Sequence, residues 1–379
     1  MHRIAVTALV CLTLAAGAVP AAAAPVTGPD AAGAGRLRMA WSVGPASAAI
    51  MTAPVYLAGS TYHMEGVADP AKIRSLVRVV RRDAGTGRRL PFATGATDSI
   101  TGYPPATDGR ALYVTTFREE TRISAFHPDG RVLWSRNQPG EQFPYRPMLA
   151  GRYLITVSKS GCTVECDNTT VFAWHADDGR PAWSHRLPGG YVRLATTAGY
   201  ASVLIDTAGT STLTVLDVAT GGPLWSRTVP GGSGIAVDGT HAYVADGSLR
   251  AYGVRDGNPR WAGENGGYTA AYPSRYGIFA TSGSRYAAYD ATGHRRWSSG
   301  VHPRGTLTVD TGIVYFQQSP SSQGAGPAYL VAVRASNGAV LSRVRIWRQI
   351  SIGEVVVGGG RVFTKALMEK IVAFAPARP

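Results

Sequence analysis

The sequence has almost no helical periodicity, and after its first residues it has no apolar run long enough to span a bilayer. The only candidate for a helical turn is residues 366–368. The hydrolase motif Gly-x-Ser-x-Gly and the zinc motif His-Glu-x-x-His are both absent. These absences argue against a helical fold and a transmembrane segment, and they leave no familiar catalytic signature.

Cysteine is scarce, with three residues in a chain of 379, and Cys11 lies in the apolar N-terminal segment. The other two, Cys162 and Cys166, are separated by three residues in a predicted hairpin loop. In an oxidising compartment such a pair is expected to form a disulfide that closes the loop. A metal site would need more ligands, and no histidine stands beside the pair. We therefore predict a disulfide and no metal site.

Lysine and acidic residues are also in short supply. Lys and Arg together number 38 against 24 Asp and Glu, which gives a formal net charge of +14. The four lysines are Lys72, Lys159, Lys365 and Lys370. The densest basic stretch contains Lys72, Arg74, Arg78, Arg81, Arg82, Arg88 and Arg89. The excess is explained either by GC-rich coding or by a surface that attracts polyanions such as cell-wall phosphates or anionic lipid.

The N-terminus has the pattern of an export signal. A short basic start precedes the apolar residues 4–19, and four alanines follow at 21–24. We predict a signal peptide over residues 1–23, a disordered leader over 24–35 and one domain over 36–379. The mature protein is then expected to be a secreted bacterial protein, which argues against nucleic acid as its partner.

What the sequence does contain is a repeat. A short apolar run enters a turn that ends in glycine seven times, and in five copies a tryptophan follows four residues later. The complete copies are Gly130 with Trp134, Gly179 with Trp183, Gly221 with Trp225, Gly257 with Trp261, and Gly293 with Trp297. Gly87 with Pro91 and Gly338 with Ser342 keep the turn without the tryptophan. Counted from Trp41, successive positions of the tryptophan or its replacement lie 36 to 50 residues apart, which predicts a repeat architecture.

The turn and the tryptophan each have a physical basis. An Asp or Asn side chain bonds to the backbone amides ahead of it, and glycine supplies the positive φ that a bulged hairpin needs. A tryptophan just after the turn can lie between adjacent sheets while its indole N–H reaches a carbonyl. We predict that such docking residues are Trp41, Trp134, Trp183, Trp225, Trp261 and Trp297.

The two ends of the chain complete the count. The tail carries three strand signals, at 353–357, 361–364 and 371–374, and stops before a fourth. The missing strand is present at the other end, at residues 36–41. We therefore predict an all-β fold, an eight-bladed propeller of four-stranded antiparallel blades whose ring is closed by the N-terminal strand.

Residues 216–225 and 288–297 resemble the repeat of the pyrroloquinoline-quinone-like β-propellers, in which Asp-x-x-Thr-Gly-x-x-x-Trp recurs. That family includes quinoprotein alcohol dehydrogenases, the propeller of the outer-membrane assembly lipoprotein and many secreted propellers. The resemblance implies a shared blade and does not imply bound quinone. The quinone enzymes carry two adjacent cysteines and a Glu/Asn/Asp calcium set, and neither maps onto this chain. We expect neither quinone nor calcium.

Propellers usually bind ligands on the face that carries the connections between blades. Four of these connections share a register, at 138–141, 187–190, 229–232 and 264–267. The candidate residues at the channel mouth are Tyr145, Arg146, Tyr191, Arg193, Tyr268, His302, Arg304 and Glu354. Aromatic and guanidinium groups suit an anionic or sugar-like ligand, although the same residues could simply line a water-filled channel.

The leading expectation is a monomeric, non-enzymatic scaffold that binds an unidentified protein or an anionic or carbohydrate ligand at the cell envelope. The alternative is an exported lyase or hydrolase that acts on carbohydrate or a small metabolite. It would use Glu354 with His302, Tyr268 or Arg304 at the channel mouth. A quinone-dependent dehydrogenase is a minor alternative. Carboxylate, tyrosine and histidine groups clustered in a deep pocket would favour the enzyme.

Overall fold

The computed structural model describes residues 36–45, 49–50, 52–67, 76–93, 97–98, 103–117, 120–140, 145–162, 166–207, 210–232, 234–319, 326–347, 353–367 and 369–376. Every regular element in these ranges is a β-strand, and no helix suited to crossing a membrane occurs in them. The predicted signal peptide and leader, residues 1–35, lie outside the described residues.

The strands form eight antiparallel sheets arranged as the blades of a ring, as the repeat predicted. Blades 1 and 2 contain β2 (Ala49–Ile50), β3 (Val55–Leu57), β4 (Ser60–Val67), β5 (Leu76–Asp83), β6 (Arg89–Leu90) and β7 (Thr97–Asp98), then β8 (Ala106–Thr107), β9 (Leu112–Phe117), β10 (Thr121–Phe126) and β11 (Val132–Gln138). Blades 3 and 4 contain β12 (Met148–Ala150), β13 (Tyr153–Cys162), β14 (Cys166–His175) and β15 (Pro181–Pro188), then β16 (Tyr191–Thr196), β17 (Tyr200–Thr207), β18 (Thr210–Asp217) and β19 (Pro223–Val229).

The second half of the ring follows the same order. Blades 5 and 6 contain β20 (Gly234–Val237), β21 (His241–Ala245), β22 (Gly247–Gly253) and β23 (Pro259–Tyr268), then β24 (Ala270–Ser274), β25 (Gly277–Thr281), β26 (Tyr286–Tyr289) and β27 (Arg295–Ser299). Blades 7 and 8 contain β28 (His302–Asp310), β29 (Ile313–Ser319), β30 (Ala328–Arg334) and β31 (Val340–Trp347), then β32 (Val355–Gly358), β33 (Arg361–Ala366), β34 (Lys370–Pro376) and β1 (Leu37–Val43).

The N-terminal strand closes the ring, which confirms the predicted use of both chain ends. β1 pairs antiparallel with β34, and its register runs from Leu37 opposite Pro376 to Val43 opposite Ile371. The backbone N–H of Leu37 also donates to Ser342 Oγ of blade 7 at 2.9 Å. The exposed edge that β34 would otherwise present is therefore covered.

Blade 1 departs from the regular pattern because its inner and outer strands are each divided in two. β2 and β3 both pair with β4, and β6 and β7 both pair with β5. Pro54 lies between the two inner pieces and Pro91 between the two outer ones. Proline has no N–H to give to a sheet, so the divided strands follow from the sequence at these positions.

The tryptophans lie between neighbouring blades. Each indole Nε1–H donates to a backbone carbonyl of the next blade, and each ring lies against the turn glycine of that blade. The pairs are Trp41 with Ala84 (3.1 Å), Trp134 with Ala176 (2.9 Å), Trp183 with Val218 (2.7 Å), Trp225 with Val254 (2.9 Å), Trp261 with Ala291 (3.0 Å) and Trp297 with Ala335 (2.9 Å). These contacts fix the angle between blades.

One seam in the ring is polar where the others are apolar. Valines, leucines, isoleucines and alanines fill most seams, such as the one between blades 3 and 4. Between blades 8 and 1 the cluster of buried apolar residues is reduced to Ala84, Phe363 and Ala373. Beside it the buried carboxylate of Glu65 contacts His63 Nε2 (3.1 Å), Arg82 Nη2 (3.3 Å) and Arg78 Nη2 (3.4 Å). Two arginines of the predicted basic stretch thus point into the protein.

Two local expectations concern hairpins. Residues 366–368 were the one candidate for a helical turn, but β33 ends at Ala366 and Leu367 adopts a φ of 50° in the turn to β34. The backbones of Cys162 and Cys166 lie opposite each other in the β13–β14 ladder. Paired strands bring Cα atoms within the range that a disulfide spans. The disulfide stays a prediction, which peptide mapping without reductant would test.

Candidate functional site

The two ends of the ring differ in what they carry. Strands within a blade run alternately up and down, so the turns from first to second strand and from third to fourth strand share one end, here called the turn face. The tryptophan–glycine contacts belong to it. The loop face is the opposite end, which carries the connections between the second and third strands and the connections between blades.

A lysine at the loop face of blade 3 lies between two tyrosine rings. Lys159 stands near the end of β13, and its Nζ is 5.6 Å from the ring centroid of Tyr145 and 5.7 Å from that of Tyr191. Tyr145 precedes the first strand of blade 3, and Tyr191 begins the first strand of blade 4. The side chain therefore joins two blades through cation–π contacts.

Two further residues extend this arrangement. Tyr103, which precedes blade 2, stacks on Tyr145 with the ring planes 13° apart and the centroids 6.5 Å apart. The guanidinium of Arg193 lies 4.8 Å from the centroid of Tyr191 and is held by an ion pair with Asp206. The lysine cluster is defined here as Tyr103, Tyr145, Lys159, Tyr191 and Arg193.

The ammonium of Lys159 has no carboxylate partner in the part of the chain that the structure describes. Burial lowers the pKa of Lys159. Burial also raises the pKa of Tyr145 and of Tyr103, so both phenols remain neutral. An arriving carboxylate would supply the missing countercharge and would raise the pKa of Lys159 again.

A second feature of the loop face is an ion pair between two distant blades. Arg146 Nη1 lies 2.6 Å from Glu354 Oε1, and the side chains are only 23% and 24% exposed. Arg146 precedes β12 of blade 3, and Glu354 precedes β32 of blade 8. The carbonyl of Glu354 accepts a hydrogen bond from Thr364 Oγ1 at 2.9 Å, which fixes the backbone of that segment.

Other titratable groups surround Glu354. Lys365 is half-buried, and its pKa is lowered by burial while the charge of Glu354 opposes that shift. Burial raises the pKa of Tyr272 in blade 6 to about 12, and the Glu354 carboxylate contributes to that rise. The carboxylate of Glu354 therefore interacts with two cations at the loop face: it forms an ion pair with Arg146, and its charge acts on Lys365.

The remaining mouth candidates lie in separate contacts. Tyr268 is fully buried, and its hydroxyl accepts a hydrogen bond from the Tyr289 hydroxyl at 3.2 Å. His302 Nδ1 lies 3.0 Å from the Gly283 carbonyl, so that nitrogen carries the hydrogen. Arg304 follows on the same strand, β28, and is half-buried. The acid, histidine and tyrosine that an enzyme at the mouth would use are thus each engaged elsewhere.

The lysine cluster contains two residues that the sequence analysis did not select. Tyr103 stands three residues before β8, as Tyr145 does before β12, so the register of the repeat could have identified it. Lys159 is one of four lysines and follows the apolar run of β13, which is an unusual position for a charge. Within the described part of the chain, no group of three or more His, Cys, Asp or Glu side chains could hold a metal ion.

The repeat, the ring and the loop face can now be compared with known proteins. A family profile described as "Outer membrane protein assembly factor BamB" matches residues 76–208 and 209–379. The chain belongs to this family of PQQ-like β-propellers. No curated protein matches the sequence of this BamB-family member.

Solved structures show the same ring. BamB from Moraxella catarrhalis is 14% identical with a TM-score of 0.57, and the match covers 89% of this chain and 99% of that one. The Dos1 propeller is 10% identical with a TM-score of 0.61, covering 90% and 96%. Sqt1 from Saccharomyces cerevisiae is 10% identical with a TM-score of 0.58, covering 89% and 98%. At such identities the likeness establishes the fold alone.

Proposed function

We propose that this BamB-family chain is an exported, non-enzymatic scaffold that binds an acidic segment of another protein at the loop face of blades 3 and 4. The observation that carries the proposal is Lys159, a half-buried ammonium between two tyrosine rings with no carboxylate partner among the described residues. A group in this state gains from a ligand that brings a negative charge.

Three properties favour a protein segment as the ligand. The aromatic rings of Tyr145 and Tyr191 offer flat apolar surface beside the charge, which suits a chain of mixed acidic and apolar residues. The formal net charge of +14 attracts acidic partners over a distance. The family description names an assembly factor, which is a protein that handles other proteins. A carbohydrate acid would use the same ammonium and rings, and it is the alternative ligand for this site.

The decisive test compares two lysines that both contact aromatic rings. Lys159→Met removes the ammonium of the cluster, whereas Lys370→Met removes an equal charge from blade 8, where Lys370 Nζ lies 4.7 Å from the Trp347 ring centroid. The probe is a fluorescent eight-residue peptide of alternating glutamate and leucine, and its affinity is measured by anisotropy. We expect Lys159→Met to weaken binding about tenfold, because a charge-assisted contact is lost.

The control outcome decides the interpretation. Lys370→Met is expected to change the affinity less than threefold, because Lys370 lies in blade 8 and belongs to no part of the lysine cluster. Equal effects from both substitutions would mean that only the overall charge attracts the peptide, and the proposed site would be wrong. A matched peptide of lysine and leucine should not bind.

Export and the absence of quinone are parts of the same proposal. We expect the secreted protein to begin at Ala24, and N-terminal sequencing that finds residues 1–23 retained would contradict this. The chain has no adjacent cysteines, and its described residues offer no calcium cluster, so the donor groups do not fit the quinone and calcium of the dehydrogenases. A calcium-dependent thermal shift with quinone would overturn that expectation.

A further inference from the structure

The Arg146–Glu354 ion pair joins two blades that are not neighbours in the ring. Blade 3 packs on blades 2 and 4, and blade 8 packs on blades 7 and 1. Both residues directly precede the first strand of their blade, and first strands line the central channel. Blades 3 and 8 are three positions apart in the ring, so a contact between them from these positions spans part of the channel mouth. The pair therefore forms a bridge between two blades at the loop-face end of the channel.

The pair is held from both sides by fixed backbone. The carbonyl of Tyr145, next to Arg146, accepts a hydrogen bond from Thr115 Oγ1 at 3.3 Å. On the other side, Gly353 packs so closely on Gly305 that a Cβ added at Gly305 would lie 2.1 Å from the Gly353 oxygen. The two side chains thus reach towards each other from backbone that is held by contacts of its own.

The charges around the pair favour exchange of one carboxylate for another. Arg146 directly follows Tyr145, whose ring contacts Lys159, so Arg146 and the lysine cluster share the connection that enters blade 3. Glu354 has a second cation nearby, Lys365, on which its charge acts. If a ligand carboxylate takes Arg146, Glu354 can keep a favourable interaction with Lys365. The exchange conserves one ion pair, so it does not leave a half-buried charge alone.

We propose that Arg146 is a carboxylate-binding group at the channel mouth and that Glu354 is its internal competitor, which an acidic polypeptide segment displaces on binding. The proposal rests on the proposed function, because it assigns a further contact to the same acidic ligand. It predicts that the Arg146–Glu354 ion pair is intact without ligand and breaks when the segment binds. A ligand with carboxylates at suitable spacing occupies both Lys159 and Arg146.

The test measures the affinity of the glutamate–leucine peptide for variants of residue 354. Glu354→Gln removes the competing charge, and we expect about tenfold tighter binding. Glu354→Asp keeps the charge but withdraws it by one methylene group, so it should also tighten binding. Glu369→Gln removes an exposed carboxylate of the same blade and should change the affinity less than threefold. Thermal melting of each variant checks that the ring is intact.

The outcomes separate this proposal from the proposed function. Arg146→Gln added to Glu354→Gln should abolish the gain, because the freed guanidinium is then absent. If Glu354→Gln and Glu354→Asp bind no better than Glu369→Gln while Lys159→Met still weakens binding, the competitor proposal is wrong and the proposed function stands. If neither the unmodified chain nor any variant binds the peptide, both are wrong. Free glutarate, at the same carboxylate concentration as the peptide, tests whether a small anion suffices. If glutarate competes with the labelled peptide as well as unlabelled peptide does, the site recognises a carboxylate and not a polypeptide.

Discussion

At the residue scale, the buried Glu65 shows how a charge count misleads when the fold is not known. Arg78 and Arg82 belong to the densest basic stretch of the sequence, yet both turn towards Glu65 in the seam between blades 8 and 1. Arg82 is further held by the carbonyl of Gly44 at 3.0 Å. Part of the basic stretch is therefore buried in the protein. The number of arginines in the sequence of blade 1 overstates the positive charge that its surface offers to a polyanion.

His63 makes this seam sensitive to acid. It is fully buried, and burial lowers its pKa from the ordinary value of 6.5, with the opposing effect of Glu65 being smaller. Arg82 and Arg89 lower that pKa further. The folded protein therefore binds this proton less readily than the unfolded chain does. The free energy of unfolding is therefore unaffected by this histidine above pH 6.5. Below pH 6.5 it falls by at most about 1.4 kcal/mol per pH unit, because the unfolded chain takes up the proton first.

His63→Gln should remove this acid sensitivity, because glutamine keeps an N–H for Glu65 and takes up no proton. The melting temperature of the variant should fall less between pH 7 and pH 5 than that of the unmodified chain. His294→Gln is the matched control, since the His294 side chain is 84% exposed. Identical pH profiles for the unmodified chain and His63→Gln would show that His63 does not govern the seam.

At the scale of elements, the turn between the third and fourth strands defines the blade. In blade 4, Asp217 Oδ1 accepts hydrogen bonds from the N–H groups of Ala219 (2.8 Å) and Thr220 (3.0 Å), and Gly221 has a φ of 73°. A Cβ at Gly221 would lie 2.4 Å from Trp183 Cδ2 of blade 3. The same glycine thus allows the turn and makes room for the neighbouring tryptophan.

Gly221→Ala should be costly for both reasons. Positive φ is strained for alanine, and the added methyl group pushes against the docked indole, so we expect a loss of about 2–4 kcal/mol in the free energy of unfolding. Gly239→Ala, in a turn of blade 5 where an added Cβ meets no atom within 4 Å, should cost less than about 0.5 kcal/mol. Chemical denaturation compares the two, and equal losses would refute the role given to the turn.

The elements were predictable from sequence because this turn leaves a readable mark in each blade. Where a blade lacks the tryptophan that follows the turn, its packing on the next blade also differs. Pro91 stands at the tryptophan position of blade 1, and there Phe92 and the backbone of Ala93 lie against Gly130 instead. The loop-face residues leave a weaker mark, since a shared register relates Tyr103 to Tyr145 but does not single out Lys159. Lys159 was missed because β13 otherwise reads as a buried strand, and its charge has meaning only beside rings from two other segments.

At the scale of the whole molecule, the ring creates contacts that no local pattern contains. The strand pairing of the two chain ends could be predicted, because a missing strand at one end matched an extra one at the other. The Arg146–Glu354 pair could not, because 208 residues and several blades separate its partners. Both residues lie on the loop face, but their pairing depends on the geometry of the assembled ring, which no local pattern contains.

The central claim is that one patch of the loop face, over blades 3 and 4, is the binding surface. Hydrogen–deuterium exchange of the full chain with and without the glutamate–leucine peptide tests it over all eight blades at once. We predict slower exchange at residues 103–107, 154–162 and 191–196, no change in the turns that carry Gly179 and Gly221, and no protection in Lys159→Met. Protection confined to the turn face or to the outer strands would contradict the account.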